Sequence, residues 1–264
     1  MKRVLTTVFL LPLVIFLVFK APSVYFFSFI SLIIVLGLAE FFGMLAQGKQ
    51  ACSPYLGMII GWLLSLTFFQ ERVDLTQCLL TLAPMMLLAV RLTHGGNLLE
   101  ASQGAFNTLF GVFYVSWLSS HFLLLRNLDA GRDYLFFVLL VIWLGDTGAY
   151  YGGRRWGRHK LAVRISPQKT VEGAVFGLIA SLVGAWLARQ VFLPSWGVER
   201  FLGVGLLLGT LGQIGDLSES LIKRGLGVKD SGSLLPGHGG ILDRVDSLLF
   251  AAPAMYYVCY FFPS

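Results

Sequence analysis

The sequence predicts an all-α, polytopic integral membrane protein of roughly nine transmembrane helices with a cytoplasmic N-terminus. Three observations predict it. The 264 residues are 56% hydrophobic and only 13% charged. A soluble domain carries about 25% charged residues, so this chain lacks the charge to cover a water-facing surface. Apolar runs of membrane-crossing length recur from end to end. Lys and Arg fall unevenly on the two sets of loops that alternate spans would create. The 22 Phe and 30 Gly fit the same solvent, because rings can face lipid and small residues let helices approach.

The predicted spans are Val4–Phe19, Ser23–Leu45, Tyr55–Phe69, Leu75–Leu92, Ala105–Leu125, Tyr134–Tyr151, Val171–Phe192, Phe201–Ile222 and Ser247–Phe262. The first follows Met1-Lys2-Arg3 and resembles a signal peptide. It is of spanning length and no small-x-small cleavage site follows, so it is read as a retained helix. Tyr55–Phe69 is short, and is tilted, re-entrant or longer than its apolar stretch. With the N-terminus inside, the cytoplasmic side receives Lys2, Arg3, Lys49 and Arg91, six cations between Arg154 and Lys169, and Lys223, Arg224, Lys229 and Arg244. The opposite side keeps Lys20, Arg72, Arg126, Arg132, Arg189 and Arg200. The bias obeys the positive-inside rule and puts both long polar loops, 152–170 and 223–246, in the cytosol.

The halves differ in kind. Residues 1–135 read as a helical scaffold, whereas residues 136–264 carry most of the ionisable groups and read as a catalytic region. The net charge of +6 comes without a long basic run, which argues against a nucleic-acid partner and for anionic lipid or nucleotide. Cys52, Cys78 and Cys259 are odd in number and widely spaced, so neither a disulfide framework nor a zinc site is expected.

Asp146 interrupts an apolar helix in Trp143-Leu144-Gly145-Asp146-Thr147-Gly148. A carboxylate within a span costs about 2.5–3.5 kcal/mol and faces a cavity or a partner. An Asp–Arg pair that merely joins helices is the plainer alternative. Asp216, Glu219, Ser220 and Lys223 recur at i, i+3, i+4 and i+7 and share one helix face. That helix begins in the apolar run 201–211, so a polar stripe on it must face protein or water. Asp243 and Asp246 repeat the i, i+3 spacing around Arg244. Carboxylates gathered at one boundary repel one another, and a divalent cation such as Mg²⁺ offsets this by bridging them to phosphates. The four histidines do not form a zinc set: His94 and His121 lie far from the polar loops, and His159 and His238 lack ligand spacing.

The first loop, Gly152 to Lys160, combines glycines with dense positive charge. Ser166 to Gly173 then opens the next helix, whose first N–H groups, with Lys169 and Thr170, make a phosphate cradle. Basic loops beside a membrane also hold topology or touch anionic lipid, and the P-loop pattern is absent. In the second loop, Pro236 and the glycines around His238 let the backbone turn tightly toward a ligand. Its cations can neutralise phosphate and its Asp pair can hold a metal; His238 reads equally well as a turn residue.

The stretch from Ser220 to Asp246 resembles the signature of phosphatidate cytidylyltransferases, the CDP-diacylglycerol synthases. The matching elements are Ser220, Lys223-Arg224, Lys229-Asp230, Gly232, Leu235-Pro236, His238-Gly239-Gly240 and Asp243-Arg244-Val245-Asp246. Gly145-Asp146-Thr147, Ser166-Pro167-x-Lys169-Thr170-x-Glu172-Gly173 and Gly215-Asp216-x-x-Glu219-Ser220 are similar to the same family. The resemblance implies Mg²⁺-dependent transfer of CMP from CTP to phosphatidic acid in a bacterial inner membrane, with the site facing the cytosol. It allows a second, monovalent cation. On this reading Asp216, Asp243, Asp246 and Asp146 hold metal. Lys169, Lys223, Arg224, Lys229 and Arg244, with Thr170 and His238, bind substrate, and Ser220 adds an oxygen. A CTP-dependent lipid kinase would share these features; a transporter would place its ionisable groups at the midplane between repeats, and no repeat is evident. Gly203, Gly205 and Gly209 mark a helix interface, either within one subunit or in a homodimer.

Overall fold

The computed structural model describes residues 12–92, 97–234 and 239–263. Residues 12–19 are helical; the start of the first predicted span, residues 4–11, lies outside the described residues. There follow α1 (Ser23–Gln47), α2 (Pro54–Phe69), α3 (Val73–Leu92) and α4 (Leu98–Gly111), which runs through a π-helical turn (Val112–Trp117) into α5 (Leu118–Asn127). Then come α6 (Gly131–Trp156), the short strands β1 (Lys160–Ala162) and β2 (Ser166–Thr170), α7 (Val171–Val191), α8 (Val198–Gly225) and α9 (Leu242–Phe261). The chain is an all-α membrane protein; among the described residues the strands form one antiparallel pair, joined at Lys160–Thr170 and Ala162–Ser166.

Each predicted span from Ser23 onward coincides with a helix. Among the described residues six helical segments are long and apolar enough to cross a bilayer: Ser23–Gln47, Val73–Leu92, Leu98–Asn127, Gly131–Trp156, Val171–Val191 and Val198–Gly225. Pro54–Phe69 is apolar but shorter. The helices outrun their apolar cores at the loop ends. Residues 152–156 extend α6 and residues 223–225 extend α8, so both polar loops are partly helical. Intrahelical hydrogen bonding does not stop where hydropathy does.

The chain divides into two compact units. The first comprises residues 1–124 and 223–244. In it α1 packs on α2 and on the π-helical turn, α2 on α3, and α3 on α4. Close approach relies on small side chains. A Cβ at Gly61 of α2 would stand 2.3 Å from Ser116 Oγ of the π-helical turn. Ser31 of α1 and Ser65 of α2 meet through their hydroxyls at 3.3 Å. Among the apolar side chains, Ile34, Leu38, Met44 and Leu64 are fully enclosed.

The second unit comprises residues 125–222 and 245–264. Its most extensive pairing is α6 against α7. Gly145, Gly148 and Gly152 of α6 lie against Ser181, Ala180 and Phe176 of α7. Lipid offers no hydrophobic drive between helices, so such small-residue seams supply the van der Waals contact that joins them. Helix α8 docks on α7 in the same way, with Gly205 on Ala185 and Gly209 on Ser181. Two of the three glycines predicted to mark an interface therefore pack inside the subunit; Gly203 has nothing within 4 Å.

Gly148→Leu tests the seam. Its Cβ alone would lie 2.4 Å from Ala180 Cβ and 2.9 Å from the Phe176 carbonyl, and backbone cannot step aside. The expected destabilisation is about 1–3 kcal/mol, read as a lower melting temperature in detergent. An unchanged melting temperature would show that α6 and α7 do not depend on close approach here.

Candidate active site

Acidic side chains of three helices meet in the second unit. Gly215 of α8 sits directly on the backbone of α9, where a Cβ would come 2.5 Å from the Asp246 carbonyl oxygen. Gly212, one turn earlier, faces Ile142 of α6 and Ser247 of α9. These two close approaches bring Asp216 and Glu219 of α8 alongside Asp246. The charge of Asp246 acts on, and is acted on by, Asp216, Glu219 and Asp146; Asp146 of α6 likewise stands in the fields of Asp216 and Lys169. Glu219 is 1% exposed, whereas Asp146 is open to the outside. The nearest counter-charge is Lys169, whose Nζ lies 2.6 Å from Asp216 Oδ2.

Lys169 reaches Asp216 from β2, and the strand pair fixes its position. Thr170 caps α7, its Oγ1 accepting from the Gly173 N–H at 3.1 Å. Glu172 in the first turn of α7 binds back onto the basic loop. Its carboxylate accepts from the Arg158 N–H at 3.0 Å and approaches His159 Nδ1 at 2.6 Å. The remaining loop cations, Arg154, Arg155, Arg158, Lys160 and Arg164, are exposed. Trp156 at the end of α6 stacks on Phe176 of α7, with ring centroids 4.7 Å apart, which ties the loop base to the helix seam.

A second constellation lies in the first unit. Asp243, at the start of α9, accepts from Lys223 Nζ at 2.5 Å. Its other oxygen accepts from the Gly240 N–H at 2.8 Å, the Ser231 N–H at 3.1 Å and the Ser231 hydroxyl at 3.0 Å. Burial alone would raise its pKa, but the Lys223 ammonium and these N–H groups outweigh burial and hold it below the usual carboxylate range. Gly239 adopts φ +80°, a left-handed conformation natural to glycine, and a Cβ there would stand 2.6 Å from Asp243 Oδ2.

The donor chemistry fits a hard cation. Asp146, Asp216, Glu219 and Asp246 offer only carboxylate oxygens, and Lys169 is paired with Asp216. Such a site favours Mg²⁺ or a similar ion that also takes phosphate oxygens. Among the described residues no group of three or more His, Cys, Asp or Glu side chains is arranged to hold a metal ion by itself.

The comparisons decide the family. The cytidylyltransferase family matches residues 1–262. This chain belongs to the cytidylyltransferase family. It is 36% identical to the phosphatidate cytidylyltransferase of Bacillus subtilis (strain 168) over 267 residues, covering 97% of this chain and 96% of the relative. It is also 36% identical to the phosphatidate cytidylyltransferase of Synechocystis sp. over 88% of this chain and 87% of that protein. A 126-residue stretch is 51% identical to the phosphatidate cytidylyltransferase of Staphylococcus aureus (strain COL), 47% of this chain and 48% of the relative.

In this cytidylyltransferase the residues singled out from sequence fall into the two groups described. Asp146, Lys169, Thr170, Asp216, Ser220 and Asp246 belong to the second unit, and Lys223, Arg224, Lys229, Asp243 and Arg244 to the first. Ser220 is buried on α8 at 9% exposure. Arg224 Nη1 donates to the Val228 carbonyl at 3.0 Å, closing the turn after α8; Lys229 and Arg244 are exposed. His238 lies outside the described residues. The structure adds Glu40 of α1, whose carboxylate receives three donors from the second loop. A lone acid in an apolar helix was the signal that could have found it, the same signal that marks Asp146.

Glu172→Ala removes the acceptor that fixes residues 158 and 159. Trypsin is expected to cut at Arg158 and Lys160 about two- to tenfold faster, the range for losing one or two net hydrogen bonds. Equal digestion rates would mean that Glu172 does not order the basic loop.

Proposed function

We propose that this chain transfers the CMP moiety of CTP to phosphatidic acid, giving CDP-diacylglycerol and pyrophosphate for phospholipid synthesis. The observation that carries the reading is identity to phosphatidate cytidylyltransferases along nearly the whole chain. The geometry supports it, because the reaction joins two anions and the site is built of fixed charges. A phosphate oxygen of phosphatidate attacks the α-phosphorus of CTP. The bond from that phosphorus to the bridging oxygen of the β-phosphate breaks, and pyrophosphate leaves with the electron pair. The nucleophile is already anionic near neutral pH, so no protein base has to remove a proton. What the protein must supply is alignment and charge neutralisation.

The cation-holding set is Asp146, Asp216, Asp246 and Asp243. The first three share one electrostatic neighbourhood, and Asp243 is paired with Lys223. A bound Mg²⁺, with a second monovalent cation where the site takes one, would neutralise charge on the α-phosphate and the leaving pyrophosphate. Lys169, Lys223, Arg224, Lys229 and Arg244 meet the phosphates of either substrate, with Thr170 and His238 as neutral partners and Ser220 as a further oxygen. The topology proposed is nine crossings with the N-terminus and both polar loops cytosolic, in a bacterial inner membrane. Support comes from the Lys and Arg bias, and the exposed cations of residues 154–164 suit that side. Phosphatidate enters sideways from the bilayer.

The test is product identity. Purified protein is incubated with phosphatidate, Mg²⁺ and CTP labelled in the cytosine ring. Pyrophosphate together with labelled CDP-diacylglycerol is the expected result, lost on chelation and restored by Mg²⁺. Release of labelled CDP instead would identify a CTP-dependent lipid kinase. Asp246→Asn is expected to lower turnover by about 10²-fold or more while leaving the melting temperature close to that of the parent; near-normal turnover would remove Asp246 from the cation-holding set.

A further inference from the structure

Glu40 stands in the last third of α1, within Ser23–Gln47, and is the sole acidic or basic residue of that helix. The reaction as proposed assigns it nothing. Its carboxylate nevertheless makes the longest-range polar contacts in the first unit. Oε1 accepts from the Ile241 N–H at 2.9 Å. Oε2 accepts from the Leu242 N–H at 3.0 Å and from the Ser231 hydroxyl at 3.1 Å. Leu242 opens α9, so Glu40 satisfies N–H groups that a helix leaves unpaired at its start, and its charge complements the helix dipole there.

The loop is shaped around this carboxylate. A Cβ at Gly240 would lie 2.4 Å from Glu40 Oε2, and one at Gly232 would lie 2.7 Å from Oε1. Both glycines belong to the signature stretch, and both leave the space that Glu40 fills. The Ser231 hydroxyl lies between Glu40 Oε2 and Asp243 Oδ2. It holds one proton to donate, so it couples the acid of α1 to the acid that begins α9.

We propose that Glu40 is a positioning residue: it clamps Ser231, Ile241 and the first residue of α9, Leu242, and so sets the aim of Asp243 beside it. The inference rests on the cytidylyltransferase reaction proposed above. Glu40 itself touches neither substrate. Every one of its three contacts is a donor, which gives the position a sharp chemical requirement. Gln has the same shape but must turn an NH₂ group toward at least one of those donors. Asp keeps both oxygens but is one methylene short.

The experiment uses the full chain in detergent with three readouts. In Glu40→Gln, kcat is expected to fall about 10- to 100-fold, the scale of a small misplacement of reacting groups, while KM for CTP and phosphatidate stays within about threefold because phosphate contacts are kept. Glu40→Asp is expected to recover part of that kcat. Amide exchange in Glu40→Gln should quicken at residues 239–243 while α6 and α7 keep their protection. Gly232→Ala should slow the parent enzyme by collision with Glu40, yet add no further loss to Glu40→Ala, a non-additivity that marks direct coupling. Parent-like kcat with unchanged exchange at 239–243 overturns the proposal. So does protection lost throughout the chain with kcat and KM worsening together, which describes a purely structural acid. If the parent makes no CDP-diacylglycerol, the reaction assignment fails on its own product assay, and the exchange data and the glycine coupling still decide whether the clamp exists.

Discussion

An ionised carboxylate on a helix of membrane-crossing length has little water to solvate it, and the chain must provide what water would have given. That constraint organises the polar parts of this molecule. Asp216 is answered by Lys169, Asp243 by Lys223 together with three loop donors, and Glu40 by two backbone N–H groups and a hydroxyl. Each of these partners comes from a polar loop or a helix end. The loops are therefore held by the same charges that the helices cannot leave unsatisfied.

Close helix approach is the second requirement, and it is met by absent side chains. Gly212 and Gly215 let α8 reach Ile142 of α6 and the backbone at Asp246; with larger residues, Asp216 and Asp246 could not come near enough to act on one another. The seam of Gly145, Gly148 and Gly152 against α7 does the same for the wall that carries Asp146. Packing and chemistry share residues here: the glycines that allow van der Waals contact also set the spacing between like charges. In the reaction proposed, a cation bound with phosphate would offset the repulsion at that spacing.

Much of this was legible in the sequence because hydropathy and charge report local solvent. Helices coincide with the predicted spans, since apolar runs and intrahelical bonding agree over most of their length. The i, i+3, i+4, i+7 stripe of Asp216, Glu219, Ser220 and Lys223 lies on α8 as expected. Three things were not legible. The pairing of β1 with β2 inside a basic loop depends on Glu172 and the α7 cap rather than on any alternating pattern. The grouping of residues 223–244 with the first unit depends on contacts almost two hundred residues apart in sequence, from Glu40 to Ser231 and Leu242. The role of Glu40 is the third: as a lone acid in an apolar helix it carries the signal that marks Asp146, but nothing in the sequence ties it to Ser231 and Leu242.

The two constellations make chemically different use of carboxylates, and the difference follows from how their lone pairs are spent. Asp243 accepts from Lys223, Gly240 and Ser231, so most of its acceptor capacity is committed to the fold of the signature loop. Asp146, Asp216 and Asp246 act on one another's charge, with the Lys169 ammonium beside Asp216, and in the reaction proposed it is their oxygens that meet the cation. A reaction whose nucleophile arrives already ionised gives none of these acids a proton to move. In the reaction proposed their value is electrostatic, and it depends on spacing more than on basicity. Acids that serve by spacing need a rigid frame, and the first turn of α9, held by Glu40 of α1 and by Ser231 of the second loop, is the part of the frame on which Asp243 stands.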